Sequence, residues 1–139
     1  MSISVILDTN IFISGIFWDG NFCSEIIDAW RDGRIILITS PEIIQELVDI
    51  LQNFKIEMPQ DIIAVWRKLV VENAMLVFPT EKLDIVKNDP KDNKFFEAAL
   101  AGKAQYIVSQ DKKHILSIPE FGGIKTISPG EFVKILHAL

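Results

Sequence analysis

The stretch Ser2–Phe12, "SISVILDTNIF", decides how this chain is read. Its first half is a short apolar run of the kind that pairs as a buried strand. The run stops on one acid, Asp8, followed by Thr9 and Asn10. A carboxylate beside a buried strand loses hydration unless something else stabilises it. One acid in that place is weak evidence for a site. The question is whether other acids gather around it.

Outward from Asp8 the chain alternates. "SVIL" reads as a strand and "NFCSEIIDAWRDG" as a helix ending near Gly33. "RIILIT" is a second strand. "SPEIIQELVDILQNF" follows as a helix with Ser40 as N-cap and Pro41 at its first position. "PQDIIAVWRKLVVENA" is another helix, opened by Pro59, and "MLVF" a third strand. "DPKDNKFFEAALAGKA" is helical, "YIVS" a fourth strand and "GIKTI" a weaker fifth. "SPGEFVKILHAL" closes the series with Ser128 and Glu131 placed as a capping box. Short apolar strands alternating with helices predict a mostly parallel sheet of four to five strands, covered on both faces and joined by right-handed crossovers. Residues 1–139 read as one domain, with no repeat, low-complexity segment or long linker.

In such sheets ligands bind beyond the carboxyl ends of the strands, so the acids that follow strands matter most. Asp8 follows the first strand and Asp111 the fourth, in "YIVSQDKKHIL". Glu46 lies in the second turn of the helix after strand two. There Ile43, Ile44, Leu47, Val48 and Leu51 form an apolar stripe, and Glu46 is the acid closest to its margin. Asp92 opens the helix after strand three. Each acid has an ordinary explanation. Asp8 could cap "TNIFISGIF", Asp111 could cap "KKHIL", and "DPKD" offers Asp89 as N-cap with Asp92 at N3, facing the helix dipole. Together they place four acids at one edge. Two carboxylates ~5 Å apart repel by ~3 kcal/mol at an effective dielectric of 20. Several such pairs predict that some are protonated or that a cation sits among them. Oxygen-only ligands suit Mg²⁺ or Mn²⁺. Zinc is not expected, because there is one cysteine and His114 and His137 have no ligand spacing.

Composition narrows the classes. Of 139 residues 49% are hydrophobic, with a mean hydropathy of +0.27, which excludes a disordered chain. No apolar run reaches the ~20 residues of a membrane span. The absence of a secretory pattern at "MSISVILDTN" and the single Cys23 predict a cytoplasmic protein. The net charge of −5 argues against simple electrostatic binding of nucleic acid. Its distribution is uneven: residues 1–70 carry 5 basic and 10 acidic side chains, residues 71–139 carry 9 of each. Lys91, Lys94, Lys112 and Lys113 flank Asp92 and Asp111. Cys23, Trp30 and Trp66 read as packing residues and His114 as a surface histidine, while Phe17 and Trp18 read as packing residues with stacking on single-stranded bases as the alternative.

"VILDTNIFIS", "SPEIIQELVDIL" and "NDPKDNKFFEAALAGKAQYIVSQDKKHIL", in that order, resemble the signature elements of the PIN-domain family across essentially the whole chain. The nearest likeness is to its prokaryotic single-domain group, the VapC-like ribonuclease toxins of toxin–antitoxin systems. The resemblance implies a three-layer α/β/α sandwich. It also implies metal-dependent hydrolysis of RNA phosphodiesters, with Asp8, Glu46, Asp92 and Asp111 as catalytic metal ligands for Mg²⁺ or Mn²⁺. Asn10 matches a position that supports the metal shell, and Asp89 is a further supporting carboxylate. Lys91, Lys94, Lys112 and Lys113 are then candidates for substrate phosphates. Relatives often carry a second acid soon after the fourth, where this chain has Lys113 and His114. A small antitoxin partner is implied as well. The apolar surface of "DIIAVWRKLVVENAML" and "FVKILHAL" leads us to expect a homodimer or higher oligomer.

Other readings fit less well. A haloacid-dehalogenase-like phosphatase needs an aspartate where Asn10 stands. A phosphoacceptor receiver needs an acidic pair after strand one and an aspartate after the middle strand, and "ILDTN" and "LVFPT" offer neither. The non-enzymatic alternative is a PIN-like binding or scaffold module with little turnover.

Overall fold

The computed structural model describes residues 2–139. The chain runs β1 (Ile3–Leu7), α1 (Thr9–Phe17), α2 (Phe22–Arg31), β2 (Ile35–Thr39), α3 (Pro41–Asn53), α4 (Gln60–Glu72) and β3 (Met75–Leu76). A 3-10 turn at Pro90–Asp92 then leads into α5 (Asn93–Gly102), followed by β4 (Tyr106–Val108), β5 (Glu120–Phe121), β6 (Ile124–Ile127) and α6 (Pro129–His137). The strands form one sheet in the order β3-β2-β1-β4-β6-β5, parallel throughout except for β5 at its edge.

Strand alternation builds the three layers. Ile3, Val5 and Leu7 of β1 and Leu37 of β2 face a core shared with α1, α2, α3, α4 and α6. Ile6, Ile38 and Ile107 face the opposite core, filled by Phe95, Phe96, Ala98 and Ala99 of α5. Gly15 lets α1 lie against α2: a Cβ there would meet the Cys23 carbonyl oxygen at 2.9 Å. The mostly parallel α/β/α sandwich expected from the sequence is therefore present. Among the described residues no helix is long and apolar enough to cross a membrane.

Three local differences have plain causes. "TNIFISGIF" is a full helix, although its nearly continuous apolar character hides the helical period. β3 keeps two of the four residues of "MLVF". The weaker fifth strand is half of a hairpin, because Gly122 and Gly123 both take positive φ (58° and 84°) and turn the chain back on Glu120–Phe121. A two-residue strand carries too little pattern to read.

The approach to α5 is held by side chains rather than by a sheet. Asn93 Oδ1 accepts the backbone N–H groups of Ile85 (3.0 Å) and Val86 (2.8 Å), and its Nδ2 donates to the Pro90 carbonyl at 2.9 Å. Glu97 accepts the Leu83 N–H at 2.9 Å. Replacing Asn93 by Ala strands two backbone donors, one of them fully buried, and such a donor costs ~1–3 kcal/mol. Asn93→Ala is expected to lower unfolding stability by about 2–4 kcal/mol in urea titration, with little change in m value.

Candidate metal centre

The order of the strands reverses at β1, which pairs with β2 on one side and β4 on the other. That switch point is where an open α/β sheet presents a crevice at its carboxyl ends. Asp8 is the first residue past β1, and its N–H donates to the Val108 carbonyl at 3.0 Å, so the ladder itself fixes its position. Asp8 is the N-cap residue of α1, yet its side chain makes no capping bond. The carboxylate turns into the crevice instead. Oδ2 accepts the Ser109 hydroxyl at 2.7 Å and Asn10 Nδ2 at 3.0 Å. Ser109 Oγ in turn accepts the N–H of Asp111 at 2.9 Å, which joins the first and fourth acids through one buried serine.

Glu46 reaches the same crevice from α3. Its Oε2 accepts the Thr9 hydroxyl at 2.9 Å, and its Oε1 lies 2.7 Å from Lys94 Nζ. Lys94 is only 6% exposed and also donates to the Lys91 carbonyl at 2.7 Å. Asp92 is 8% exposed and makes no capping bond, and no hydrogen bond to its carboxylate is found among the described residues. Asp89 likewise does not cap the 3-10 turn. Capping does explain part of Asp111, whose Oδ1 accepts the N–H groups of Lys113 (3.2 Å) and His114 (3.0 Å). That turn brings the His114 ring back, with Nδ1 3.2 Å from Asp111 Oδ2 and 3.8 Å from Asp89 Oδ2. Ligand atoms of Asp89, Asp92 and His114 lie within 4.8 Å of one another.

The electrostatics follow from this crowding. Burial pushes the Asp92 carboxyl up to about 7, and the neighbouring charges of Asp89, Asp8 and Asp111 add to the rise while Lys94 opposes it. Burial also raises Asp8, helped by the charge of Glu46 and opposed by the Ser109 and Thr9 hydrogen bonds. Asp111 goes the other way. Its desolvation is outweighed by hydrogen bonds and charge from His114 and by the Lys113 N–H, so it stays below the usual carboxylate range. Two further features suit a hard divalent cation. Asn10 Oδ1 is buried without a hydrogen-bond partner, and Asp92 presents a bare carboxylate to the crevice. Carboxylate and amide oxygens are donors that such an ion accepts.

The structure brings together Asp8, Asn10, Glu46, Asp89, Asp92 and Asp111, all six of the expected acids and supporting residues. Of the four lysines expected against substrate, Lys91, Lys112 and Lys113 are exposed, whereas Lys94 lies inside the crevice as an ion-pair partner. Trp18 is 44% exposed and Phe17 stacks on Phe54 with ring centres 4.8 Å apart. Sequence reasoning missed Thr9, Ser109 and His114. Ser109 carried a usable signal: like Asp8, it is a polar residue directly after a buried strand.

A PIN domain family model matches residues 4–113, and the chain belongs to the PIN-domain family. An uncharacterized protein of Methanocaldococcus jannaschii, MJ1680, is 27% identical over 96% of this chain and 92% of its own length. Among solved structures, VapBC-1 from nontypeable Haemophilus influenzae matches with a TM-score of 0.62 at 15% identity, over 92% of this chain and 99% of that one. VapBC2 from Rickettsia felis, bound to a DNA fragment from its promoter, gives 0.61 at 11% identity, over 91% and 98%. FitAB bound to the IR36 DNA fragment gives 0.59 at 11%, over 90% and 94%. These structural likenesses establish the same fold.

The raised Asp92 carboxyl makes stability depend on pH in the metal-free protein. The unfolded group ionises near 3.8 and the folded one near 7. Between those values the folded state binds the extra proton, so stability falls as pH rises and levels off above about 7. The expected loss is on the order of a few kcal/mol. Asp92→Asn removes this dependence. In thermal melts with chelator the variant is expected to be more stable than wild type at pH 8 and nearly equal to it at pH 4.

Proposed function

We propose that this chain is a divalent-metal-dependent endoribonuclease, a hydrolase of RNA phosphodiester bonds, and the toxin of a toxin–antitoxin pair. One observation carries the reading. Asp8, Glu46, Asp92 and Asp111, with Asp89 beside them, converge at the β1/β4 crevice, where Lys94 is the one buried lysine among the described residues. Carboxylates held that close serve a cation better than they serve the fold. Asp8, Glu46, Asp92 and Asp111 would hold Mg²⁺ or Mn²⁺, with Asn10 and Asp89 in support. When bound, such an ion supplies an activated water and positive charge on the phosphodiester.

The chain's own residues prepare that chemistry. Ser109 and Asn10 fix one oxygen of Asp8. Thr9 and Lys94 fix both oxygens of Glu46. Lys91, Lys112 and Lys113 are free to meet phosphates at the rim, positioning a strand without reading its sequence. The structural neighbours are VapBC and FitAB assemblies, which supports a small antitoxin as partner. Ile62, Val65, Val71 and Met75 leave apolar surface exposed on α4 and the edge strand β3, in line with self-association into a homodimer or higher oligomer.

The test is cleavage of mixed single-stranded RNA by wild type and Asp8→Asn, each with EDTA, Mg²⁺ or Mn²⁺. Metal-dependent cleavage is expected, with a loss in the variant beyond the ~10–100-fold typical of an outer-shell change. A folded, antitoxin-free wild type that binds RNA yet cleaves nothing under any metal would overturn the enzymatic reading and leave the binding module.

A further inference from the structure

We propose that Asp89, Asp92 and His114 form a cation site with a nitrogen ligand, selective for Mn²⁺ and neighbouring first-row transition ions over Mg²⁺. This deepens the metal-dependent reading above and rests on it for its link to catalysis. The site adds to the four acids a residue type that they lack.

Three observations carry the proposal. Ligand atoms of the three side chains lie within 4.8 Å of one another, close enough to share one ion. Asp92 is more than nine-tenths buried, and no hydrogen bond to its carboxylate is found among the described residues. A carboxylate in that state stays aimed at the crevice. The third observation concerns the ring. The turn after Asp111 folds His114 back over the acids, where Asp111 Oδ2 lies 3.2 Å from Nδ1. Asp89 Oδ2 faces the same nitrogen at 3.8 Å, so the Nδ1 edge of the ring points at the acids.

Imidazole changes what the site selects. Mg²⁺ takes oxygen ligands and is held by one or two carboxylates while keeping its waters. Imidazole suits the transition ions, whose affinity for mixed nitrogen and oxygen sites rises along the first row from Mn²⁺. Lys94 does not compete for this place, since its ammonium is engaged by Glu46 and the Lys91 carbonyl.

The measurement is electron paramagnetic resonance of Mn²⁺ bound to the metal-stripped full-length chain, with Mg²⁺ as competitor. Pulsed spectra of wild type are expected to show coupling to a histidine nitrogen. In His114→Gln that coupling disappears and Mn²⁺ binds about tenfold or more weakly, while Mg²⁺ affinity holds. Wild-type spectra without nitrogen coupling would overturn the proposal, whatever the variant does. So would an equal loss for Mn²⁺ and Mg²⁺, which would make His114 a shaping residue only. The two readings fail separately. Nitrogen coupling without RNA cleavage keeps the site and removes the nuclease, and cleavage lost in Asp8→Asn without coupling does the reverse.

Discussion

Mutual repulsion among the carboxylates at the end of β1 and β4 is the constraint around which this molecule is arranged. The parallel ladder places Asp8 and delivers Asp111 two residues beyond Ser109. Neither acid can retreat, because one is fixed by its backbone bond to Val108 and the other by the serine that links them. The cost of gathering negative charge in a half-dry crevice is met in three ways. Hydrogen bonds from Ser109, Asn10 and Thr9 stabilise Asp8 and Glu46. An ammonium is buried against Glu46. Asp92 holds its proton to about 7, which removes one charge from the cluster when no cation is present.

The surrounding structure reads as support for that arrangement. Asp89 and Asp92 ride on a 3-10 turn, a short element with poor hydrogen-bond geometry of its own. Its place is set by Asn93, which ties the turn to the preceding extended segment through three hydrogen bonds. α5 then buries Phe95 and Phe96 completely beneath the sheet and so anchors the turn from below. A loosely held turn would let Asp92 swing into water and relieve the repulsion. The packing of α5 prevents it.

The layers were legible because short apolar runs alternate with segments of helical period such as Ile43, Ile44, Leu47, Val48 and Leu51, whereas α1 was hidden by its nearly continuous apolar character. The acids were legible because the ends of parallel strands are known places to look. What stayed hidden was direction. The capping explanation for Asp8, Asp89 and Asp92 was sound by residue type, yet none of the three makes a capping bond. Residue type fixes what a side chain can do, and rotamer choice under tertiary packing decides which option is taken. His114 was hidden for the same reason. Its neighbours Asp89 and Asp92 are 25 and 22 residues back in the chain, and the turn after Asp111 brings it to them. Lys94 was grouped with Lys91, Lys112 and Lys113 as a candidate for substrate phosphates because all four flank Asp92 and Asp111 in sequence. Three are exposed and one is buried, a distinction that composition does not carry.

Lys94 also orders one side of the crevice. A buried ion pair rarely stabilises a fold beyond what an apolar pair would, so its presence calls for another reason. Both oxygens of Glu46 are engaged, one by Thr9 and one by Lys94, while neither oxygen of Asp92 is found hydrogen-bonded. The crevice therefore has a held side and an open side. On the open side Asp92 would offer a cation a carboxylate that no salt bridge engages among the described residues. For Glu46 Oε1 to hold a cation the ammonium would have to withdraw, and the Lys91 carbonyl is a second acceptor that does not depend on Glu46. The lysine can release the glutamate without being left unpartnered in the interior. The same side chain thus holds Glu46 in place and keeps a second acceptor of its own.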